Sequence, residues 1–323
     1  MSAAAPYFSI VIPAYNVAAY IGTALDSVFA QTCTDYEAIV VNDGSPDTED
    51  LERALAPYRE RIIYITQQNR GFGGAVNAGI RAASGRYLAL LGPDDYWEPN
   101  NLQAQRQILA EDPSIDILYG DARVFGNRRE QGRSLMESCP STGEANFEAL
   151  LTLKCIVIGS AAVIRREVFD RSGLFDESLR GSAEDFDMWL RIAKLGGRIV
   201  YHRKPLVHYR RRANSLTADG IKVEQGALQV LEKVERTMDL TPREAQVLQG
   251  MLSRVRARLA WQNGRRALLE KDAKTAGQCW GEANRHYRSV KLWLMVRLLS
   301  LAPNLFVNLY HRRSLLRQTS IAP

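Results

Sequence analysis

Three short apolar runs, each closed by a polar loop, constrain this chain more than any other feature. Phe8-Ser9-Ile10-Val11-Ile12 ends at Pro13-Ala14-Tyr15-Asn16, Ala38-Ile39-Val40-Val41 ends at Asn42-Asp43-Gly44-Ser45, and Tyr87 to Leu91 ends at Gly92-Pro93-Asp94-Asp95. Runs of four or five largely apolar residues without polar alternation read as strands buried on both faces. Between the first two, residues 16–31 carry Ile21, Leu25, Val28 and Phe29 at helical spacing, which makes a βαβ unit. Ile62 to Thr66 reads as a further strand and Gly74 to Ala83 as a helix. In an open α/β sheet ligands bind beyond the carboxyl ends of the strands, so topology alone sends the loops bearing Tyr15-Asn16, Asp43 and Asp94-Asp95 to one site.

The mixed pattern continues, with strands expected at Ile115 to Tyr119, Ala161 to Ile164 and Gly197 to Tyr201 and a helix entrance at Ser182-Ala183-Glu184-Asp185. After Thr217 the strand signal disappears and the rest reads as helices rich in Leu, Ala, Arg and Gln, which divides the chain into residues 1–218 and 219–323. At 46% hydrophobic and 24% charged over 323 residues, disorder and coiled coil are excluded. The four cysteines, Cys33, Cys139, Cys155 and Cys279, form no CxxC pair, so neither a zinc site nor a disulfide framework is expected and a reducing cytoplasm fits. The start shows no secretory pattern, and the nearest approach to a membrane span, Leu292 to Tyr310, is interrupted by Arg297 and Pro303. The net charge of +6 gathers partly in Arg210-Arg211-Arg212 and Arg312-Arg313, basic runs suited to phosphates or anionic lipid.

Adjacent carboxylates at a strand exit, Asp94 and Asp95, can hold a hard divalent cation beside phosphate oxygens, and Gly-Pro-Asp-Asp is equally good turn chemistry. Asp43 can accept from a base or ribose, or serve its own turn. Gly71-Phe72-Gly73-Gly74 is not the GxGxxG fingerprint and lacks a P-loop ending, so nicotinamide and ATP readings lose support. Asp185 at a helix start is a candidate general base, or ordinary acid enrichment of a first turn. His202 and His208 read as structural, and Tyr209-Arg210-Arg211-Arg212 as either a phosphate clamp or a solvated loop.

In order along the chain, Ile10 to Asn16, Val40 to Ser45, Asn69-Arg70-Gly71, Asn77-Ala78-Gly79-Ile80, Leu90 to Asp95 and Glu184-Asp185 resemble the family 2 glycosyltransferases of the GT-A type. The resemblance covers residues 7–217. It implies a Rossmann-like α/β domain with a mostly parallel, mixed sheet, followed here by a C-terminal α-helical region. It further implies a nucleotide-sugar donor, a UDP-sugar foremost, a divalent cation (Mn or Mg), and sugar transfer with inversion in cell-surface glycan assembly. Residue by residue it places Pro13, Ala14, Tyr15, Asn16 and Asp43 around the donor nucleotide, with Asn69 and Asn77 also on the donor. Asp94 and Asp95 fall at the metal, Asp94 also on the donor, Asp185 as general base and Glu184 at the acceptor. Three departures accompany it. Members often read Leu-Asp-x-Asp-Asp where this chain has Gly92, Arg where it has Val76, and His where it has Arg212, which leaves the metal to Asp94 and Asp95 and the diphosphate to Arg210 and Arg212.

A nucleotidyltransferase would carry a Gly-rich, Arg-containing loop where this chain has Pro13-Ala14-Tyr15-Asn16. A degenerate, non-catalytic glycan- or nucleotide-binding scaffold draws support from Gly92 and Val76, whereas Asp94, Asp95 and Asp185 favour catalysis. Residues 289–299, with Pro303 and the basic His311-Arg312-Arg313, suit a core-packing hairpin, a membrane interface at the inner face of the plasma membrane with a lipid-linked saccharide acceptor, or a homodimer contact. Nucleic acid is not an expected partner.

Overall fold

The computed structural model describes residues 5–126, 130–138, 141–179, 183–212, 215 and 219–310. Cys139, Ser182 and the basic end at His311-Arg312-Arg313 lie outside the described residues. The chain divides into two compact units, Met1–Ala218 and Asp219–Pro323.

In the first unit the elements run β1 (Phe8–Ala14), α1 (Ala18–Phe29), β2 (Tyr36–Asp43), α2 (Thr48–Leu55), β3 (Ile63–Gln67), α3 (Gly71–Ala82), β4 (Tyr87–Leu90), β5 (Tyr96–Trp97) and α4 (Asn101–Glu111). They continue with β6 (Ile117–Phe125), α5 (Leu135–Ser138), α6 (Phe147–Leu151), β7 (Ala162–Arg165), α7 (Val168–Ser172), α8 (Glu184–Lys194) and β8 (Ile199–Arg210). The strands form one sheet in the order β3-β2-β1-β4-β7-β6-β8-β5. The first four are parallel, β7 runs antiparallel to both β4 and β6, β6 and β8 are parallel, and the two-residue β5 lies antiparallel on β8.

Apolar β1 lies inside the sheet between β2 and β4, and its Phe8, Ile10, Val11 and Ile12 are fully buried. Helix α3 packs over β1 and β2, close enough that a Cβ on Gly79 would stand 2.4 Å from Val11 Cγ1. At the other end of β1, the buried Ser9 hydroxyl donates to Glu37 Oε1 at 2.5 Å and accepts the Gly85 N–H at 2.8 Å. Glu37 also accepts from the Ser84 N–H and hydroxyl, and these donors hold its carboxyl below the usual carboxylate range against the opposing effect of desolvation.

The structure lengthens two expected strands. β6 continues to Phe125, and β8 runs unbroken from Ile199 through the charged His202-Arg203-Lys204 to Arg210. Its pairing with β6 shifts register around Asp121, and Arg203 takes a left-handed φ of 60°, so a bulge absorbs the interruption. His202 and His208 therefore sit on one strand. His202 is pushed down to about 4 by burial beside Lys204, while His208 stacks on Tyr96 at 4.2 Å and bonds Glu98 Oε1 at 2.7 Å.

The second unit contains α9 (Gly220–Thr237), α10 (Pro242–Leu269), α11 (Ala273–Tyr287) and α12 (Val290–Leu301), with residues 303–310 also helical. A capping box between Thr241 and Glu244, with Pro242 at the first helical position, starts α10. Fully buried Trp280 anchors this unit. It stacks on Trp261 at 5.0 Å, and a Cβ on Gly264 would come within 2.4 Å of its ring. No helix among the described residues is long and apolar enough to cross a membrane.

A Cβ at Gly85 would lie 2.6 Å from Ser9 Oγ and 2.7 Å from the backbone atoms Phe8 C and Ser9 N. Gly85→Ala is therefore expected to destabilise the chain by about 1–3 kcal/mol, read by urea denaturation; an unchanged midpoint would remove this close approach.

Candidate active site

The carboxyl ends of β1, β2 and β4 lie side by side, and specific bonds tie their loops together. Asn16, at φ 55°, donates its N–H to Ser45 Oγ at 2.7 Å, and Ala18 N–H donates to Asp47 Oδ2 at 2.9 Å, so the loop after β1 is clasped to the loop after β2. Buried Asp43 accepts from Gln67 Nε2 at 2.6 Å and from the Arg70 N–H at 2.9 Å through one oxygen, which fixes the entry to α3. Gly44, at φ 63°, is required there, since a Cβ would stand 2.8 Å from the Asn69 nitrogen. In the resulting rim Tyr15 is 51% exposed, Asn16 and Asn69 are exposed, Pro13 is half-buried and Ala14 is buried.

Asp95 organises the neighbouring rim. It is buried, and both its oxygens are taken: Oδ2 accepts the Ser160 hydroxyl at 2.5 Å and Oδ1 accepts the Arg210 N–H at 2.8 Å. Ser160 in turn accepts the Gly92 N–H at 3.0 Å, and its carbonyl accepts from Trp97 Nε1 at 2.8 Å. Desolvation, reinforced by the charge of Asp94, pushes the Asp95 carboxyl up to about 7. A Cβ on Gly92 would stand 2.7 Å from Asp95 Oδ2 and 2.9 Å from Ser160 Oγ, so the Asp95 carboxyl fills the space beside the position where an acid is often found.

Because Asp95 holds the end of β8, the arginines that follow are delivered to Asp94. Arg210 Nε donates to the Asp94 carbonyl at 2.9 Å, and Arg212 Nε forms an ion pair with Asp94 Oδ2 at 2.6 Å. Both guanidiniums lie over the ring of Tyr20 on α1, at 4.9 and 4.8 Å, and Arg210 also covers Phe125 at 4.3 Å. Arg211 instead donates its N–H to the Phe125 carbonyl.

Asn77, expected on the donor, is buried in α3. Its amide brackets the Phe175 backbone, accepting from the N–H and donating to the carbonyl, both at 2.9 Å, and also donates to Glu177 Oε1 at 3.0 Å. Glu177 pairs with Arg70 at 2.6 Å. Phe175 meets Trp189 of α8 edge to face, and Asp187 binds Arg191 at 2.8 Å, whose guanidinium also bonds the Ser172 and Leu174 carbonyls. These contacts fix the start of α8. There Glu184, expected at the acceptor, is buried and accepts the Ala183 N–H at 3.0 Å. Asp185 is only partly covered, accepts the Phe186 N–H at 2.7 Å, and is pushed up to about 6 by desolvation, with Glu184 adding to the rise.

Tested against a divalent cation, this donor set falls short. A hard cation takes several oxygens, yet both Asp95 oxygens accept protein hydrogens and the Asp94 carboxylate already pairs with Arg212. Among the described residues no group of three or more His, Cys, Asp or Glu side chains could hold a metal ion. The Asp94 and Asp95 pair expected at the metal is engaged within the protein here, Asp95 by the Ser160 hydroxyl and the Arg210 N–H and Asp94 by Arg212. Ser160, Tyr20, Glu177 and the Asp187–Arg191 pair are absent from the sequence reading, and only Asp187 and Arg191, four apart on one helix, carried a local signal.

The profile of Glycosyl transferase family 2 matches residues 9–173. An uncharacterized glycosyltransferase of Rickettsia felis is 34% identical over 195 residues, 59% of this chain but only 32% of that protein, so the chain spans about a third of that relative's length. One of Rickettsia typhi is 31% identical over 215 residues, 65% of this chain and 67% of that protein. Among solved structures, S. aureus TarS 1–349 in complex with UDP-GlcNAc has a TM-score of 0.61 at 20% identity, covering 94% of this chain and 89% of that one. The mannosyltransferase PcManGT of Pyrobaculum calidifontis, in complex with GDP-Man and Mn2+, also has a TM-score of 0.61, at 18% identity and covering 96% of this chain and 87% of that one. The eight-stranded mixed sheet is thus the GT-A fold, and with half of its length matching the family profile the chain belongs to glycosyl transferase family 2.

Proposed function

We propose that this glycosyltransferase moves a sugar from a nucleotide-sugar donor to a hydroxyl of a saccharide or lipid-linked saccharide, with inversion, in cell-surface glycan assembly. The observation that carries the reading is the meeting of Asp94 with Arg210 and Arg212 at the exit of β4, beside the clasped loops of β1 and β2. Those loops suit a nucleoside: exposed Tyr15 offers a ring face, and Pro13, Ala14, Asn16, Asp43 and Asn69 stand on the same strand ends and the neighbouring loops. A uridine donor is the first choice, since TarS is seen with UDP-GlcNAc, and a guanosine donor the second, since PcManGT is seen with GDP-Man.

In the transfer, the acceptor oxygen bonds to the anomeric carbon as the bond from that carbon to the diphosphate oxygen breaks. The acceptor proton passes to Asp185, and the bonding pair leaves with the nucleoside diphosphate. A single displacement inverts the centre and needs no covalent enzyme intermediate. A carboxyl poised near 6 is mostly ionised at neutral pH yet basic enough to take a proton in the transition state. Arg210 and Arg212 supply positive charge where the leaving diphosphate develops negative charge. On this reading the guanidinium of Arg212, at a position where members often have His, takes up the role expected of the cation. Asn77 acts at a distance, positioning α8 through Phe175.

Donor hydrolysis or transfer should rise about tenfold per pH unit below about 6 and level off above it, because only ionised Asp185 acts as base. Asp185→Asn should lower turnover by about 10²- to 10⁴-fold and leave nucleotide affinity within about twofold. Turnover unchanged by that substitution would remove Asp185 from the reaction, and failure of every nucleotide sugar to bind would overturn the donor reading itself.

A further inference from the structure

Helix α12 buries one side and exposes another that is just as apolar. Leu292 and Leu299 point into the core of the second unit with Trp280. On the outward side, Val290, Leu294, Leu298 and Leu301 are exposed at helical spacing, and beyond Pro303 Leu305 and Leu309 are exposed as well. Val290 is 74% and Leu301 81% exposed. Trp293 stands beside this row with the Arg297 guanidinium 5.3 Å over its ring. A helix apolar on all sides is ordinarily a buried one, and a continuous apolar row left in water marks a surface that something covers.

Charge decides what covers it. From Asn284 to Pro323 there are seven Lys and Arg residues, Arg285, Arg288, Lys291, Arg297, Arg312, Arg313 and Arg317, and no Asp or Glu. A two-fold contact between copies would set Lys291 and Arg297 against like charges, whereas an anionic lipid surface would neutralise them. At 12 residues α12 is about 18 Å long, short of the roughly 30 Å hydrocarbon core, so it suits lying in the interface rather than crossing it. We propose that α12 and residues 303–310 dock this protein on an anionic membrane surface, with the leucine row in the acyl boundary, Trp293 at headgroup level and the basic side chains on the phosphates. The docking rests on the second unit alone and stands whether or not the donor chemistry is as proposed.

The test is flotation of the full chain with vesicles of mixed phosphatidylglycerol and phosphatidylcholine, and with phosphatidylcholine alone, with light scattering in the absence of lipid. The expected result is flotation with the anionic vesicles only, weakened at high salt. Leu294→Glu with Leu298→Glu should reduce it by about tenfold or more, while circular dichroism and thermal midpoint stay at wild-type values. Lys291→Glu with Arg297→Glu, which keeps the apolar row, should reduce it several-fold. No flotation with anionic vesicles would overturn the proposal. So would equal flotation with neutral vesicles, or a lipid-free dimer that Leu298→Glu dissociates, the last assigning the row to a second copy.

Discussion

The buried carboxyl of Asp95 is the interaction on which the rest of the site depends. It joins three parts of the sheet that are remote in sequence: the exit of β4, the turn before β7 through Ser160, and the end of β8 through the Arg210 backbone. Burying a carboxyl is unfavourable unless its lone pairs find donors, and here a hydroxyl and an N–H meet both oxygens. Desolvation still outweighs them, which is why the group is pushed up to about 7 rather than down. The result is a rigid corner that places two guanidiniums and one carboxylate at the carboxyl edge of the sheet.

Two apparent departures from the family pattern become one when seen in space. Gly92 leaves room for the Asp95 carboxyl, and Arg212 puts a fixed positive charge on Asp94. Losing an acid at one position and gaining a cation at another both make the site more positive, in the same direction as a bound divalent cation would. The Tyr20 ring, covered by both guanidiniums, gives them an apolar support that a mobile ion would not need.

Much of the fold was legible because buried parallel strands leave uninterrupted apolar runs, and β1, β2 and β4 are such runs. Half-exposed β8 was read only in pieces, since His202-Arg203-Lys204 and a bulge break its pattern, and two-residue β5 has too little length to carry one. The acids and arginines of the site were legible by type and place. Their partners were not: nothing local marks Ser160 as the donor to Asp95 or shows that the Asn77 amide is spent on Phe175, because both contacts cross more than sixty residues of chain. In the helical unit the leucine row was visible in sequence, but which leucines face Trp280 and which face water is set by packing alone.

The most direct measurement of the proposal that a fixed arginine at Asp94 stands in for a divalent cation is calorimetric titration with UDP and GDP in chelator and in Mn2+. The account predicts that the nucleotide that binds does so with affinities within about threefold in the two conditions, and that Arg212→Met weakens binding about tenfold or more in chelator, as expected for loss of a charge-assisted bond. Binding that disappears in chelator and is untouched by Arg212→Met would contradict it.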